Sequence, residues 1–136
     1  MVEAQPDYDG AIVIVEIAPD EVVLVHPDGD PDGPASLPGN PCRPGESPEA
    51  GAVRIVRELT GLEVRLTGVV TSFVQPGTPT GTMQAHGFVA TPVGGTLLEA
   101  GPEGPVTRHR TDALPELVSV RVAIRRVLDT YLAQTE

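Results

Sequence analysis

Residues 11–17, Ala11-Ile12-Val13-Ile14-Val15-Glu16-Ile17, form an almost unbroken β-branched run, the pattern of a strand buried on both faces rather than one. Pro19-Asp20 punctuates the chain, and Val22-Val23-Leu24-Val25-His26 reads as the second arm of a hairpin. Residues 27–34 are so rich in Asp, Gly and Pro that neither a ladder nor a helix persists through them, which places the loop on the surface. Ser47-Pro48-Glu49 starts a helix: the Ser hydroxyl can accept an orphan backbone N–H, and Pro sits in the first turn, where its missing donor costs nothing. Gly61 ends that helix.

Leu62-Glu63-Val64-Arg65-Leu66 and Val69-Val70-Thr71-Ser72-Phe73-Val74 predict one long or bent strand interrupted at Gly68. After the turn at residues 76–81 a further strand is predicted over residues 83–91, and residues 92–105 read as a second Gly/Pro loop. From residue 119 to 133, Val120, Ala123, Ile124, Val127, Leu128 and Tyr131 recur at helical spacing with arginines opposite, predicting a terminal amphipathic helix. Strands, helix, strands and helix, with no internal repeat, predict an α+β domain over residues 10–136 after a polar, loosely held stretch at 1–9.

Composition narrows the partners. The chain has 136 residues and a net charge of −10, and all 9 of its basic residues are arginine. Nucleic-acid affinity draws on cationic neutralisation of phosphates, so no nucleic-acid partner is expected. No run reaches the roughly 18 apolar residues of a membrane span, and the start lacks the basic and apolar regions of a secretory signal, so the expectation is a cytoplasmic protein without a membrane partner. The single cysteine, Cys42, excludes an internal disulfide; the neighbouring Arg43 would favour its thiolate, but no His is adjacent in sequence to act as base, so an inert or oxidisable thiol is expected rather than a nucleophile. His26, His86 and His109 stand apart in sequence and read as strand-end or surface residues. Asp28-Gly29-Asp30-Pro31-Asp32-Gly33 imitates the first half of a calcium loop, but the bidentate Glu would fall at Gly39 and Pro31 stiffens the turn.

The most specific pattern lies in Leu37-Pro38-Gly39-Asn40-Pro41-Cys42-Arg43-Pro44-Gly45-Glu46 running into Arg54-Ile55-Val56-Arg57-Glu58-Leu59-Thr60-Gly61-Leu62. It resembles the signature loop and helix of the Nudix hydrolase superfamily (MutT-like), in a degenerate form. In one frame Glu46, Arg54, Val56, Glu58, Gly61 and Leu62 match. Asn40 stands for the opening Gly, and Ile55 and Leu59 stand where the family carries carboxylates. The resemblance implies a Nudix fold, a mixed β-sheet sandwiched between α-helices. It also implies hydrolysis of a diphosphate linkage with Mg²⁺ or Mn²⁺ held by carboxylates of the signature helix.

On a helix, positions 55, 58 and 59 lie three and four apart and share a face; here that face reads Ile, Glu, Leu. The resemblance therefore leaves Glu58, Glu46 and the main-chain carbonyl of Gly39 as a weak ion site, with Glu58, Glu46 and Arg54 as the catalytic candidates. Glu99 or Glu103 could add a ligand or base from a later loop. Arg54 and Glu58, four apart, are equally an ordinary helix ion pair. Arg43 could meet phosphate, and Ile55, Leu59, Phe73 and Phe88 could line a ligand site, with core packing the plainer reading of all four apolar residues. Asn at position 40 would tolerate the left-handed backbone that a glycine allows.

The leading expectation is a Nudix-fold protein impaired in pyrophosphate hydrolysis, acting as a binding module for a small molecule, a diphosphate included, or a protein, with no cofactor. The first alternative is an Mg²⁺/Mn²⁺-dependent hydrolase cleaving a nucleoside diphosphate linked to another moiety. The second is a repurposed non-hydrolytic enzyme that uses Glu58 as an acid or base whose pKa is raised by apolar neighbours. The family's frequent homodimers extend that option to this chain.

Overall fold

The computed structural model describes residues 7–76, 82–118 and 121–134. In chain order the elements are β1 (Tyr8–Ala18), β2 (Glu21–Val25), β3 (Gly39–Pro41), α1 (Pro48–Thr60), β4 (Leu62–Pro76), β5 (Thr82–Gly95), β6 (Ala100–Gly101), β7 (Gly104–Arg110) and α2 (Val122–Gln134). The sheet runs β4-β5-β1-β2-β7-β6, with β3 paired to β1 off that path. β1 is parallel to β5, from Tyr8 opposite Met83 to Val15 opposite Ala90, and antiparallel to β2 and β3. The turn between β1 and β2 holds Asp20 at a positive φ of 59°.

Successive side chains of β1 point to opposite faces, and both faces are covered. Ala11, Val13 and Val15 join Val23, Val25 and Phe88 in a core capped by Ala52, Ile55, Val56 and Leu59 of α1. Ile12 and Ile14 join Val22, Leu24 and Phe73 in a second core capped by Ala123, Ile124, Val127, Leu128 and Tyr131 of α2. The result is the expected α+β sandwich, a mixed sheet between two helices. The Tyr131 hydroxyl donates to Glu16 at the end of β1, tying α2 to the sheet's central strand.

α1 forms as its ends predict. Ser47 is extended, its Oγ accepts from the Ala50 N–H at 3.1 Å, and Pro48 opens the helix. Gly61 closes it at φ 82°, donating its N–H to the Arg57 carbonyl. A Cβ there would lie 2.2 Å from the Thr96 carbonyl oxygen, so the left-handed turn and the close approach of the next loop both require glycine.

Three sequence expectations need correction. β1 begins at Tyr8, inside the stretch expected to be loose, because Tyr8 and Asp9 pair with Met83 and Gln84. Residues 92–105 are not one loop: β5 continues to Gly95, and β6 and the start of β7 follow. β7 has one buried hydrophobic residue, Val106, so no apolar pattern marks it; pairing with β2 and the Arg108–Glu21 ion pair at 2.9 Å make it a strand. The last helix begins at Val122; residues 119 and 120, like the expected turn at 77–81, lie outside the described residues. His26 stands at the end of β2, one of the two places expected for it, and is fully buried there. Its Nδ1 faces the Gly33 carbonyl at 3.1 Å, which can only accept, so the proton sits there; Nε2 then accepts from Thr107 Oγ1 at 2.6 Å. Thr107 Oγ1 in turn lies 2.7 Å from His109 Nε2, whose donated proton completes the chain.

The two sides of α1 separate Ile55 from Glu58. Ile55 is 0% exposed, so Ile55→Ala is expected to lower unfolding free energy by about 2–5 kcal/mol. Glu58 keeps 40% of its side chain exposed, and Glu58→Ala is expected to cost only about 0–1 kcal/mol. Urea titration of both variants at neutral pH checks the contrast.

Candidate functional site

The loop after β3 folds back over the first turns of α1, and Arg54 joins the two. Its Nε donates to Glu46 Oε2 at 2.8 Å and its Nη2 to Glu46 Oε1 at 2.9 Å, a bidentate pair. Nη1 donates to Glu58 Oε2 at 3.1 Å, and Nη2 also reaches the Pro41 carbonyl at 3.4 Å. Arg43 completes the cluster from the loop: its backbone N–H donates to Glu46 Oε1 at 3.0 Å and its Nη2 to Glu58 Oε1 at 3.2 Å. All four carboxylate oxygens of Glu46 and Glu58 therefore have cationic or backbone donors. Gly51 lets the loop lie this close, because a Cβ there would fall 2.8 Å from Cys42 Sγ.

The hydrogen bonds from Arg54, and then from the Arg43 backbone, hold the Glu46 carboxyl down to about 2. The same bonds push Arg54 further above its ordinary value, Glu46 being the main cause. Cys42 behaves as the unreactive thiol the sequence predicts, and the Arg43 effect does not prevail: burial, then the charges of Glu46 and Asp9, push its thiol up, against a smaller lowering by Arg54. It is a protonated thiol beside carboxylates, not an activated thiolate.

The structure sorts the candidate residues into three places. Glu46, Arg54, Glu58 and Arg43 form the ion-pair cluster just described. Ile55, Leu59 and Phe88 are core residues under α1, so the wall of Ile, Glu and Leu expected around an ion or ligand does not exist as one surface. Glu58 stands between two guanidiniums, not among apolar neighbours. Gly39 and Phe73 line a cleft on the α2 side of the sheet. Of the late acids, Glu103 is paired with Arg121 at 3.0 Å, and its buried Oε2 has no partner among the described residues.

Mg²⁺ or Mn²⁺ needs several hard oxygen donors around one point. Two of the helix positions that would supply them are buried hydrocarbon, and the oxygens of Glu46 and Glu58 face guanidiniums that would repel a divalent cation. Among the described residues no three His, Cys, Asp or Glu are grouped as ligands. The donor set does not fit the ion. Asn40 needs no left-handed backbone either: it lies in β3 opposite Ala11.

The cleft is of about 750 Å³, enclosed by β1, β3, the ends of β4 and β5, and the start of α2. Tyr8, Ile12, Asn40, Met83, Arg121 and Arg126 are among its lining residues, and of these sequence reading had marked only Asn40, for its backbone. The arginines of α2 had been read as the solvated side of an amphipathic helix. Arg121 lies just before α2 and Arg126 in its second turn, and what brings them to the cleft is the nearness of β3 and the end of β4, which no local pattern shows.

The family model described as "NUDIX domain" matches residues 7–127. No curated protein matches the chain. Among solved structures, a UDP-X diphosphatase superposes with a TM-score of 0.73 at 19% identity, covering 98% of this chain and 66% of that one, so this chain spans about two thirds of its length. A MutT NUDIX hydrolase from Burkholderia pseudomallei gives 0.70 at 18% identity, covering 93% and 98%. An ADP-ribose pyrophosphatase from Streptococcus suis gives 0.62 at 20%, covering 91% of each chain. At these identities the likeness is one of fold.

The Arg54 clamp makes stability pH-dependent in a definite direction. Glu46 ordinarily titrates near 4.5 and in the fold near 2, so its contribution is complete above 4.5 and is lost as pH falls through that window. Chemical denaturation from pH 5.5 to 2.5 is expected to show Glu46→Gln already destabilised at the upper end and losing less further stability on acidification than the parent. Parallel curves would contradict the clamp.

Proposed function

This chain belongs to the Nudix family, and from that premise we propose that it is a binding module for a small molecule, impaired in metal-dependent pyrophosphate hydrolysis. The observation that supports this reading is the Arg54 clamp. Stabilising charge that shifts between phosphoryl oxygens requires positive charge aimed at substrate. Here Arg54 and Arg43 are spent on Glu46 and Glu58, and the neighbouring helix positions are Ile55 and Leu59. The cleft beside Gly39 and Phe73 offers volume and apolar wall without a carboxylate, which suits binding better than phosphoryl transfer. No described helix is long and apolar enough to cross a membrane.

Two of the structures alike in fold are a UDP-X diphosphatase and an ADP-ribose pyrophosphatase, and these define the assay. Purified protein with millimolar Mg²⁺ or Mn²⁺ is expected to release no phosphate product from UDP-sugars, ADP-ribose, NADH or nucleoside triphosphates above the buffer rate. Calorimetry is expected to show no divalent-ion binding at those concentrations. Robust turnover that disappears in Glu58→Gln would establish the hydrolase instead.

A further inference from the structure

We propose that the cleft between α2 and β1 takes a small organic anion with an apolar body, whose charged head is met by Arg126. This rests on the reading of the protein as a binding module and specifies what it binds. The chain carries 19 acidic residues against 9 basic ones, yet among the described residues the charged ones lining the cleft are Arg121 and Arg126, with no carboxylate beside them. A cleft of opposite sign to the rest of the molecule concentrates anions against an overall field that repels them.

The two arginines are not equivalent. Arg121 is already compensated: its Nη2 donates to Glu103 Oε1 at 3.0 Å and its Nη1 to Ser36 Oγ at 3.3 Å. Arg126 has its guanidinium carbon 4.0 Å from the centroid of the Phe73 ring, and among the described residues it has no carboxylate partner. A guanidinium held on a ring face keeps in-plane N–H donors for a planar or tetrahedral anion. Around it, Ile12, Phe73, Met83 and Ile124 supply hydrocarbon wall. The volume of about 750 Å³ falls within the roughly 300–1,000 Å³ typical of small-molecule sites.

A nucleoside diphosphate fits this chemistry poorly. It carries at least two charges where one arginine is uncompensated, and it would set a polar base against a wall that is mainly apolar, with Tyr8, Asn40 and Gln75 as its uncharged polar side chains. A monoanion with a flat or branched apolar body matches both counts.

Binding of 2-naphthoate and of its uncharged counterpart 2-naphthylmethanol, followed calorimetrically in EDTA, tests the assignment. The parent is expected to bind naphthoate saturably at one site and the alcohol about tenfold more weakly. Arg126→Gln is expected to weaken naphthoate by about tenfold and leave the alcohol unchanged. Arg125→Gln, whose residue pairs with Asp129 at 3.7 Å outside the cleft, should change neither. Arg126 is exposed, so its variant should fold, and an unchanged melting temperature would show that it does. No naphthoate binding, equal affinity for the two probes, an equal loss of both in Arg126→Gln, or tighter binding of UDP than of naphthoate would each overturn the proposal. Because no metal or cleavable linkage is present, such a failure leaves the absence of hydrolysis standing. Turnover in the hydrolysis assay would instead remove the binding-module reading on which the assignment rests, so the two failures are told apart by which assay gives them.

Discussion

β1 is the constraint on which the rest of the molecule depends. It pairs with β5 and β3 along its first half and with β2 at its far end, and it has no solvent-facing side between Ala11 and Val15. A strand buried on both faces needs an apolar layer above and below, and the chain supplies them as α1 and α2. Each helix is then fixed by the face it must cover. The positions of α1 that point at Val13 and Val15 cannot carry charge without leaving a carboxylate in hydrocarbon, at a cost of several kcal/mol.

Ile55 and Leu59 satisfy that demand, and the consequence reaches the loop. With those two positions given to the core, Glu58 on the outer side of α1 and Glu46 at the loop's end are carboxylates within reach of Arg54, which engages both at once. The bidentate geometry to Glu46 holds the loop against the helix more firmly than an ordinary exposed ion pair, because Arg54 is 13% and Glu46 16% exposed. The cluster is thus a clasp between loop and helix. Its oxygens are occupied by the same contacts that give it stability, which is why structural and ion-binding roles compete here.

Much of this was legible in the sequence where a local rule decides the outcome. The β-branched run of β1, the Ser47-Pro48 start and Gly61 stop of α1, and the bend of β4 at Gly68 each follow from residues within a few positions. The spacing of Arg54 and Glu58 likewise announced their helix ion pair, which forms at 3.1 Å, but not the pairing of Arg54 with Glu46 or of Arg43 with Glu58. What the local rules missed depended on distant partners. β7 owes its strand to β2, and His26 is buried by a contact with Thr107 that no local pattern shows. Arg121 and Arg126 line a cleft because β3 and β4 end beside the start of α2. Ile55 and Leu59 belonged to a core on local reading and to a site on family reading; burial places them in the core.

The ion-pair cluster and the cleft also sit on different structural layers, and this separation gives the functional reading its coherence. The clasp is built from α1 and the loop before it, and its buried support is the core that contains Val13, Phe88 and Leu59. The cleft is walled by Ile12, Phe73 and Ile124, all from the opposite core. Clasp and cleft meet at the start of the loop, where Pro41 lines the cleft and its carbonyl accepts from Arg54 Nη2 at 3.4 Å, and at β1, whose Ala11 belongs to the core under α1 and also lines the cleft. The side chains of α1 are not among the cleft's lining residues, so Ile55 and Leu59 in place of carboxylates leave its walls as they are.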